Sequence, residues 1–303
     1  MKIIVTGASG LIGSALVSSL SKQGHQVTAL VRRESKRKPP AGLTEVIWNP
    51  AAGELDAARL VGHEAAVHLA GESIASGRWT DAKKRRIVES RVKSTRLLAE
   101  TLARLQTHPR AFICASAIGY YGDRGSELLT EESAPGVDFL SHVCREWEAA
   151  CEPVRAVGIR TVNLRIGIVL SSKGGALAQM LTPFKLGLGG RIGNGWQYMS
   201  WIALDDALGA IEHALTDESL AGPVNVVAPQ PVKNVEFTKT IGRVLGRPTL
   251  LPVPGFALRL VLGEMADELL LASTRVEPAR LKATGYQFKY PQLEPALRHL
   301  LRE

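Results

Sequence analysis

Three glycines near the amino terminus carry the clearest chemistry in this 303-residue chain. Gly7, Gly10 and Gly13 fall at every third position of the run TGASGLIG, between an apolar stretch and a segment with helical spacing of apolar residues. Each has its own task in a phosphate-binding turn. Gly7 permits the tight turn, Gly10 lets the backbone approach a pyrophosphate, and Gly13 lets the helix pack close to the strand. The free N–H groups of Leu11 and Ile12 at the helix start, with the helix dipole, favour an anion, and Ser9 adds a hydroxyl donor. The alternative is a glycine turn that binds nothing; the placement directly between strand and helix favours the dinucleotide reading.

The end of the second apolar run decides which dinucleotide. An NAD site places an Asp or Glu there for the ribose hydroxyl. Here the run ends Val31-Arg32-Arg33, and the only acid nearby is Glu34. Arginine suits a 2′-phosphate through bidentate contact. Arg32 therefore points to NADP rather than NAD, whereas Lys36, Arg37 and Lys38 read as a solvated loop.

These residues need a sheet edge to hold them. Lys2–Thr6, Gln26–Val31, Glu45–Trp48, Ala66–Leu69, Ala111–Ser116 and Arg160–Leu164 read as strands. Helical spacing over Leu11–Gln23, Asp81–Leu105 and Phe139–Val157 alternates with them. Such alternation predicts an α/β Rossmann fold, a doubly wound parallel sheet covered on both faces. Leu204–Leu215 reads as a further helix, Val224–Val227 as a further strand and Ala257–Leu271 as one helical run. The expected domains are a nucleotide-binding unit over 1–170 plus about 203–228, with substrate-side loops over 171–202 and a small C-terminal cap lobe over 229–303.

Composition narrows the class. The apolar fraction is 45% and the charged fraction 22%, ordinary for a globular chain. No apolar run is long enough to span a bilayer, and the apolar stretch of MKIIVTGASG is too short for a secretory signal. Cys114, Cys144 and Cys151 form no CxxC pair, so a reducing, cytoplasmic setting and no metal site are expected. The net charge of +8 lacks the basic–aromatic interleaving that stacks bases, which argues against nucleic acid as a partner. Lys83, Lys84, Arg85 and Arg86 read as a solvated helix face. A small-molecule substrate is the expected partner, no membrane is, and a homodimer stays open.

The chain also resembles the extended short-chain dehydrogenase/reductase superfamily, and within it the NAD-dependent epimerase/dehydratase-like family. The likeness runs through TGASGLIG, HLAGESIASGRW (68–79), SAIGYYGDRG (116–125), LRIGIVLSSKGGALAQM (164–180) and PFKLGLGGRIGNGWQYMSWI (183–202). The segment 253–281 is similar to a small domain found with that family. The resemblance implies that Leu69, Ala70 and Gly71 lie along the adenine-ribose side of the cofactor. It places Ala115, Ser116 and Ala117 beside the nicotinamide, and Arg165, Ile166 and Gly167 next to nicotinamide and substrate. Asp205-Asp206 matches a signature after the substrate loop.

One departure stands out. The superfamily's working pair is a tyrosine with a lysine four residues on, the lysine lowering the tyrosine's pKa for proton transfer. At the matching positions stand Leu140 and Cys144, and no other YxxxK occurs. Ser116 and Tyr121, which follow the fifth strand, are the substitute catalytic candidates, although Tyr121 reads equally well as a packing aromatic. Glu72, Arg78 and Trp79, and the wall formed by Tyr198 and Trp201 with Trp196 and Gln197, are expected on the substrate side. A Glu72–Arg78 pair could equally be structural, and His142 reads as a surface residue. Two functions follow: an NADP-dependent oxidoreductase or epimerase-like enzyme acting on a small anionic or nucleotide-linked substrate, or a cofactor-binding sensor that has lost turnover.

Overall fold

The computed structural model describes residues 1–34 and 42–302, so Lys36, Arg37 and Lys38 lie outside the described residues. In chain order the first half contains β1 (Lys2–Thr6), α1 (Leu11–Lys22), β2 (Gln26–Val31), β3 (Leu43–Asn49), β4 (Glu54–Leu55), β5 (Ala65–His68), α2 (Asp81–Ala103) and β6 (Ala111–Ala117). It continues with β7 (Leu128–Leu129), α3 (Phe139–Ala149), α4 (Glu152–Ala156) and β8 (Arg160–Ile166). The second half adds β9 (Ile168–Leu170), α5 (Gly175–Lys185), β10 (Tyr198–Met199), β11 (Trp201–Ala203), α6 (Leu204–Thr216) and β12 (Gly222–Val226). Beyond these come β13 (Val232–Lys233), α7 (Asn234–Leu245), α8 (Gly255–Leu262), α9 (Glu264–Ala266), β14 (Arg275–Val276), α10 (Ala279–Ala283) and α11 (Leu293–Leu300).

Eight strands form the central sheet in the order β12-β8-β6-β5-β1-β2-β3-β4, all parallel neighbours except the antiparallel β3–β4 hairpin. After β1 the chain runs outward through β2 and β3, then crosses back to β5 on the other side of β1. That reversal makes the carboxyl end of β1 the point where an open α/β sheet leaves a crevice for ligands.

Alternation along the strands distributes the core. Ile3 and Val5 of β1 pack with Leu16 and Leu20 of α1 and Ile211 of α6 on one face. Ile4, between them, packs with Leu98 and Leu102 of α2 on the other. Both faces are covered, so the inner strands read as continuous apolar runs rather than alternating ones.

Two expected helices are broken, each for a local reason. The run 139–157 splits after Ala149, and Pro153 stands in the first turn of α4, where its missing N–H costs nothing. The run 257–271 stops at Gly263, whose φ of +63° ends α8, and resumes as α9 and a π-helical turn over Asp267–Leu271.

The C-terminal residues share core clusters with earlier elements. Leu281 joins the cluster under β1, and Leu293, Leu297 and Leu300 pack with Trp201 and Leu170. β14 adds to β7, tying residues 275–276 to 128–129. Among the described residues no helix is long and apolar enough to cross a membrane.

Candidate functional site

The glycine turn divides its tasks much as its spacing suggests. Gly7 has φ +67°, and a Cβ there would sit 2.7 Å from the Leu69 carbonyl carbon and oxygen, so the position requires glycine twice over. A Cβ on Gly13 would lie 2.1 Å from the Gly7 carbonyl oxygen, which makes Gly13 the close-packing residue between helix and turn. Gly10 differs. Its only neighbour is that same carbonyl at 3.3 Å, and Gly10 and Ser9 are exposed. No side chain caps the start of α1, so the first N–H groups of the helix have no capping side chain as partner. A groove of about 740 Å³ opens at this turn, bordered by Ser9, Gly10, Leu11, Ser172 and Lys173, and runs along α1 to Lys22. An uncapped helix N-terminus beside an empty glycine position is the donor set a pyrophosphate needs.

The neighbouring loop, Leu69–Gly71, is fixed from below. Thr6 Oγ1 accepts the N–H groups of Leu69 and Ala70 at 3.1 and 3.2 Å and lies 2.8 Å from His68 Nδ1. With two N–H groups already on Thr6, its hydroxyl proton is left for His68 Nδ1, and Nε2–H then points to Ser94 Oγ at 3.3 Å. Burial holds the His68 pKa down at about 3, so the ring stays neutral and keeps that tautomer. Nothing in the local pattern of the sequence marks this Thr6–His68–Ser94 chain.

Arg32 and Arg33 sit exposed just past β2.

The positions of the missing pair are filled by packing. Leu140 and Cys144 lie on α3 at 8% and 3% exposure, and Leu140 belongs to an apolar cluster with Trp79, Val143 and Met265. The Cys144 thiol donates to the Ala117 carbonyl at 3.6 Å, and burial pushes its pKa up to about 12. A thiol in that state is neither a nucleophile nor a cation.

The substitute catalytic candidates, Tyr121 and Ser116, are both buried. Tyr121 is fully buried; its hydroxyl donates to Asn225 Oδ1 at 2.7 Å and accepts from Arg165 Nη1 at 3.0 Å. Burial pushes its pKa up to about 12 despite the nearby guanidinium. It packs the loop, with its hydroxyl held between Asn225 and Arg165. Ser116, 3% exposed, donates to Glu148 Oε1 at 2.7 Å and points at α3. Arg165 is equally enclosed. Its Nε and Nη2 donate to the two Glu148 oxygens at 2.9 and 3.0 Å, and its guanidinium lies 3.4 Å from the Tyr120 ring centre. These side chains form one buried network beneath the sheet edge. Gly167 is held against Ser200, whose carbonyl oxygen a Cβ would meet at 2.6 Å.

The substrate-side residues also move. Trp201 is fully buried and donates its ring N–H to the Gln230 carbonyl, so it is core and not a pocket wall. Tyr198 is half-buried, with Lys233 and Arg275 over its ring. Glu72 does not pair with Arg78. Its partners are Lys83 at 2.6 Å and Arg86 at 3.3 Å, and Lys83, 4% exposed, also donates to the Ser73 carbonyl and Ser76 Oγ. Lys83 was read as part of a solvated face; its burial shows that helix position turned inward. Arg78 is exposed beside Gly263, and Trp79 packs on Phe139. His142 is exposed. Glu148 and Lys83 carry the site's ion pairs, and sequence reading missed both because their partners come from other elements.

Residues 3–227 match the model of the NAD dependent epimerase/dehydratase family, and residues 253–300 match a domain of unknown function. An epimerase family protein of Mycobacterium leprae is 40% identical over 97% of this chain and 94% of its own length. The crystal structure of human epimerase family protein SDR39U1 with NADPH is similar at 35% identity and TM-score 0.88, covering all of both chains. A nucleoside-diphosphate sugar epimerase of Corynebacterium glutamicum is 38% identical with TM-score 0.81, covering 99% of this chain and 58% of that one.

Proposed function

Because this chain belongs to the NAD-dependent epimerase/dehydratase family, we propose that it binds NADP(H) along the carboxyl edge of its sheet and acts as an oxidoreductase or epimerase-like enzyme. Its substrate is a small, nucleotide-linked compound. The carrying observation is the uncapped start of α1 beside the empty Gly10 position, with Arg32 one strand away. The NADPH of the human relative and the name of the Corynebacterium relative support the cofactor and the substrate class. The dinucleotide supplies hydride chemistry when bound. The chain's own residues hold the phosphates at Gly7–Gly13 and the 2′-phosphate at Arg32, and keep water from the ring side through the packed α3 face.

Leu140 and Cys144 favour a second reading, a sensor without turnover, since neither side chain can move a proton at neutral pH. One experiment separates the two. The protein is loaded with NADPH or NADP, mixed with nucleotide-diphosphate sugars and simple carbonyl compounds, and followed at the nicotinamide absorbance band. Turnover with a nucleotide-linked compound supports the enzyme. Tight binding with no turnover across the panel supports the sensor, and no binding overturns both.

A further inference from the structure

Arg91 is a cation without a carboxylate. It stands on α2, one helical turn from Ile87, whose carbonyl accepts Nη1–H at 3.2 Å. Its guanidinium lies over the Trp147 ring at 5.0 Å. No acid side chain pairs with it among the described residues, in contrast to Arg165 with Glu148 and Lys83 with Glu72. A partly buried guanidinium left this way lacks the compensation that such charges ordinarily have. Burial accordingly draws its pKa below the ordinary value, with Cys144 and Glu72 only partly opposing.

The place where Arg91 sits gives the missing partner an address. The side chain lies across Gly71, where a Cβ would meet Arg91 Cζ at 3.2 Å and Nη2 at 3.3 Å. Gly71 ends the loop fixed by Thr6, directly beside the phosphate turn. On its other side Arg91 neighbours Cys144, whose thiol rests on the Ala117 carbonyl at the end of β6. With the 2′-phosphate past β2 and the adenosine-side phosphate at the β1 turn, the nicotinamide-side phosphate and its ribose must continue past the Gly71 loop toward the ends of β5 and β6. From β2 to β6 is three strand spacings, roughly 14 Å, comparable to an extended dinucleotide.

We infer that Arg91 is a cofactor-positioning residue, its guanidinium donating to the oxygens of the dinucleotide's nicotinamide-side ribose phosphate. This rests on the dinucleotide reading above. The guanidinium supplies, from α2, the cation that α3 does not carry at Cys144, and Gly71 leaves the space for it.

Three ligands divide the cofactor: NADPH, 2′-phospho-ADP-ribose and adenosine 2′,5′-bisphosphate, the last lacking the nicotinamide-side ribose phosphate. Calorimetric titration of Arg91→Met should show about a 10- to 100-fold loss for the first two, the range for a hydrogen bond to a charged group. Binding of adenosine 2′,5′-bisphosphate should stay within about twofold, and Arg91→Lys should regain part of the loss. Arg32→Ala should weaken all three. The comparison is made between ligands within one variant, so a partly unfolded sample lowers all three alike. Arg91→Met binding all three as the parent does, or losing all three equally in a sample whose Tm matches the parent, overturns the assignment while leaving the dinucleotide reading intact. A parent protein that binds none of the three overturns both.

Discussion

Replacing Glu148 by glutamine removes one charge and almost no volume, and it isolates the network beneath the sheet edge. Arg165 is 3% exposed and gives Nε and Nη2 to the two Glu148 oxygens, while Ser116 gives its hydroxyl to one of them. In the variant an amide NH2 faces one of these donors, and the guanidinium loses the carboxylate that pairs with it. Breaking a buried pair by removing one partner costs about 3–5 kcal/mol. The Tyr120 ring and the Glu131 carbonyl still hold Arg165, so the loss should lie near the lower end, about 3 kcal/mol. At about 2.1 cal/mol/K of unfolding entropy per residue, a 303-residue chain shifts by roughly 1.6 °C per kcal/mol, so calorimetry should show Tm falling by about 5 °C. The double variant Glu148→Leu with Arg165→Met should recover most of that, because an apolar replacement of a whole buried pair is close to neutral. A loss under about 1 kcal/mol, or a double variant as costly as the two singles added, would refute the reasoning.

Further outcomes are expected at the cofactor site and at the C-terminal segment. Gly10→Val should abolish dinucleotide binding with little change in Tm, since only one atom crowds its Cβ; Gly13→Ala should lose binding and about 1–3 kcal/mol of stability together, because its Cβ meets backbone at 2.1 Å. Equal behaviour of the two variants would contradict this division of tasks. Arg32→Ala should weaken NADPH by about 1–3 kcal/mol and leave NADH nearly unchanged, as titration of both would show. Glu268 accepts the N–H groups of Phe139 and Leu140 at the start of α3, and burial with the nearby Asp138 pushes its carboxyl up to about 7. A raised carboxyl pKa gives stability that is full below the ordinary carboxyl value and lost as pH rises through about 7. The full shift corresponds to about 3 kcal/mol, and half-exposure reduces it to about 1–2 kcal/mol. Urea unfolding at pH 5 and pH 8 should show a smaller difference for Glu268→Gln than for the parent, and an unchanged difference would remove Glu268 from the account.

The amino-acid sequence by itself determines the frame of this protein. Apolar runs at strand length, with helical spacing between them, fix a parallel sheet and its order of elements, because both faces must be covered. The glycine turn is legible for a similar reason. Its chemistry depends on three neighbouring residues and the strand and helix that flank them, all local. The catalytic candidates were not legible in this way. Ser116 and Tyr121 follow the right strand, yet a strand end does not say which way a side chain turns. Only the tertiary structure shows that Tyr121 meets Asn225, 104 residues away, and that Ser116 meets Glu148 on α3. Trp201 looked like a substrate wall and proved to be core, and Lys83 looked solvated and proved to be buried against Glu72. Arg91 carried no sequence signal at all, because an unpaired cation is defined by what fails to surround it. Local periodicity records which face of an element is apolar; the partner that satisfies a buried charge comes from another element, and only folding brings the two together.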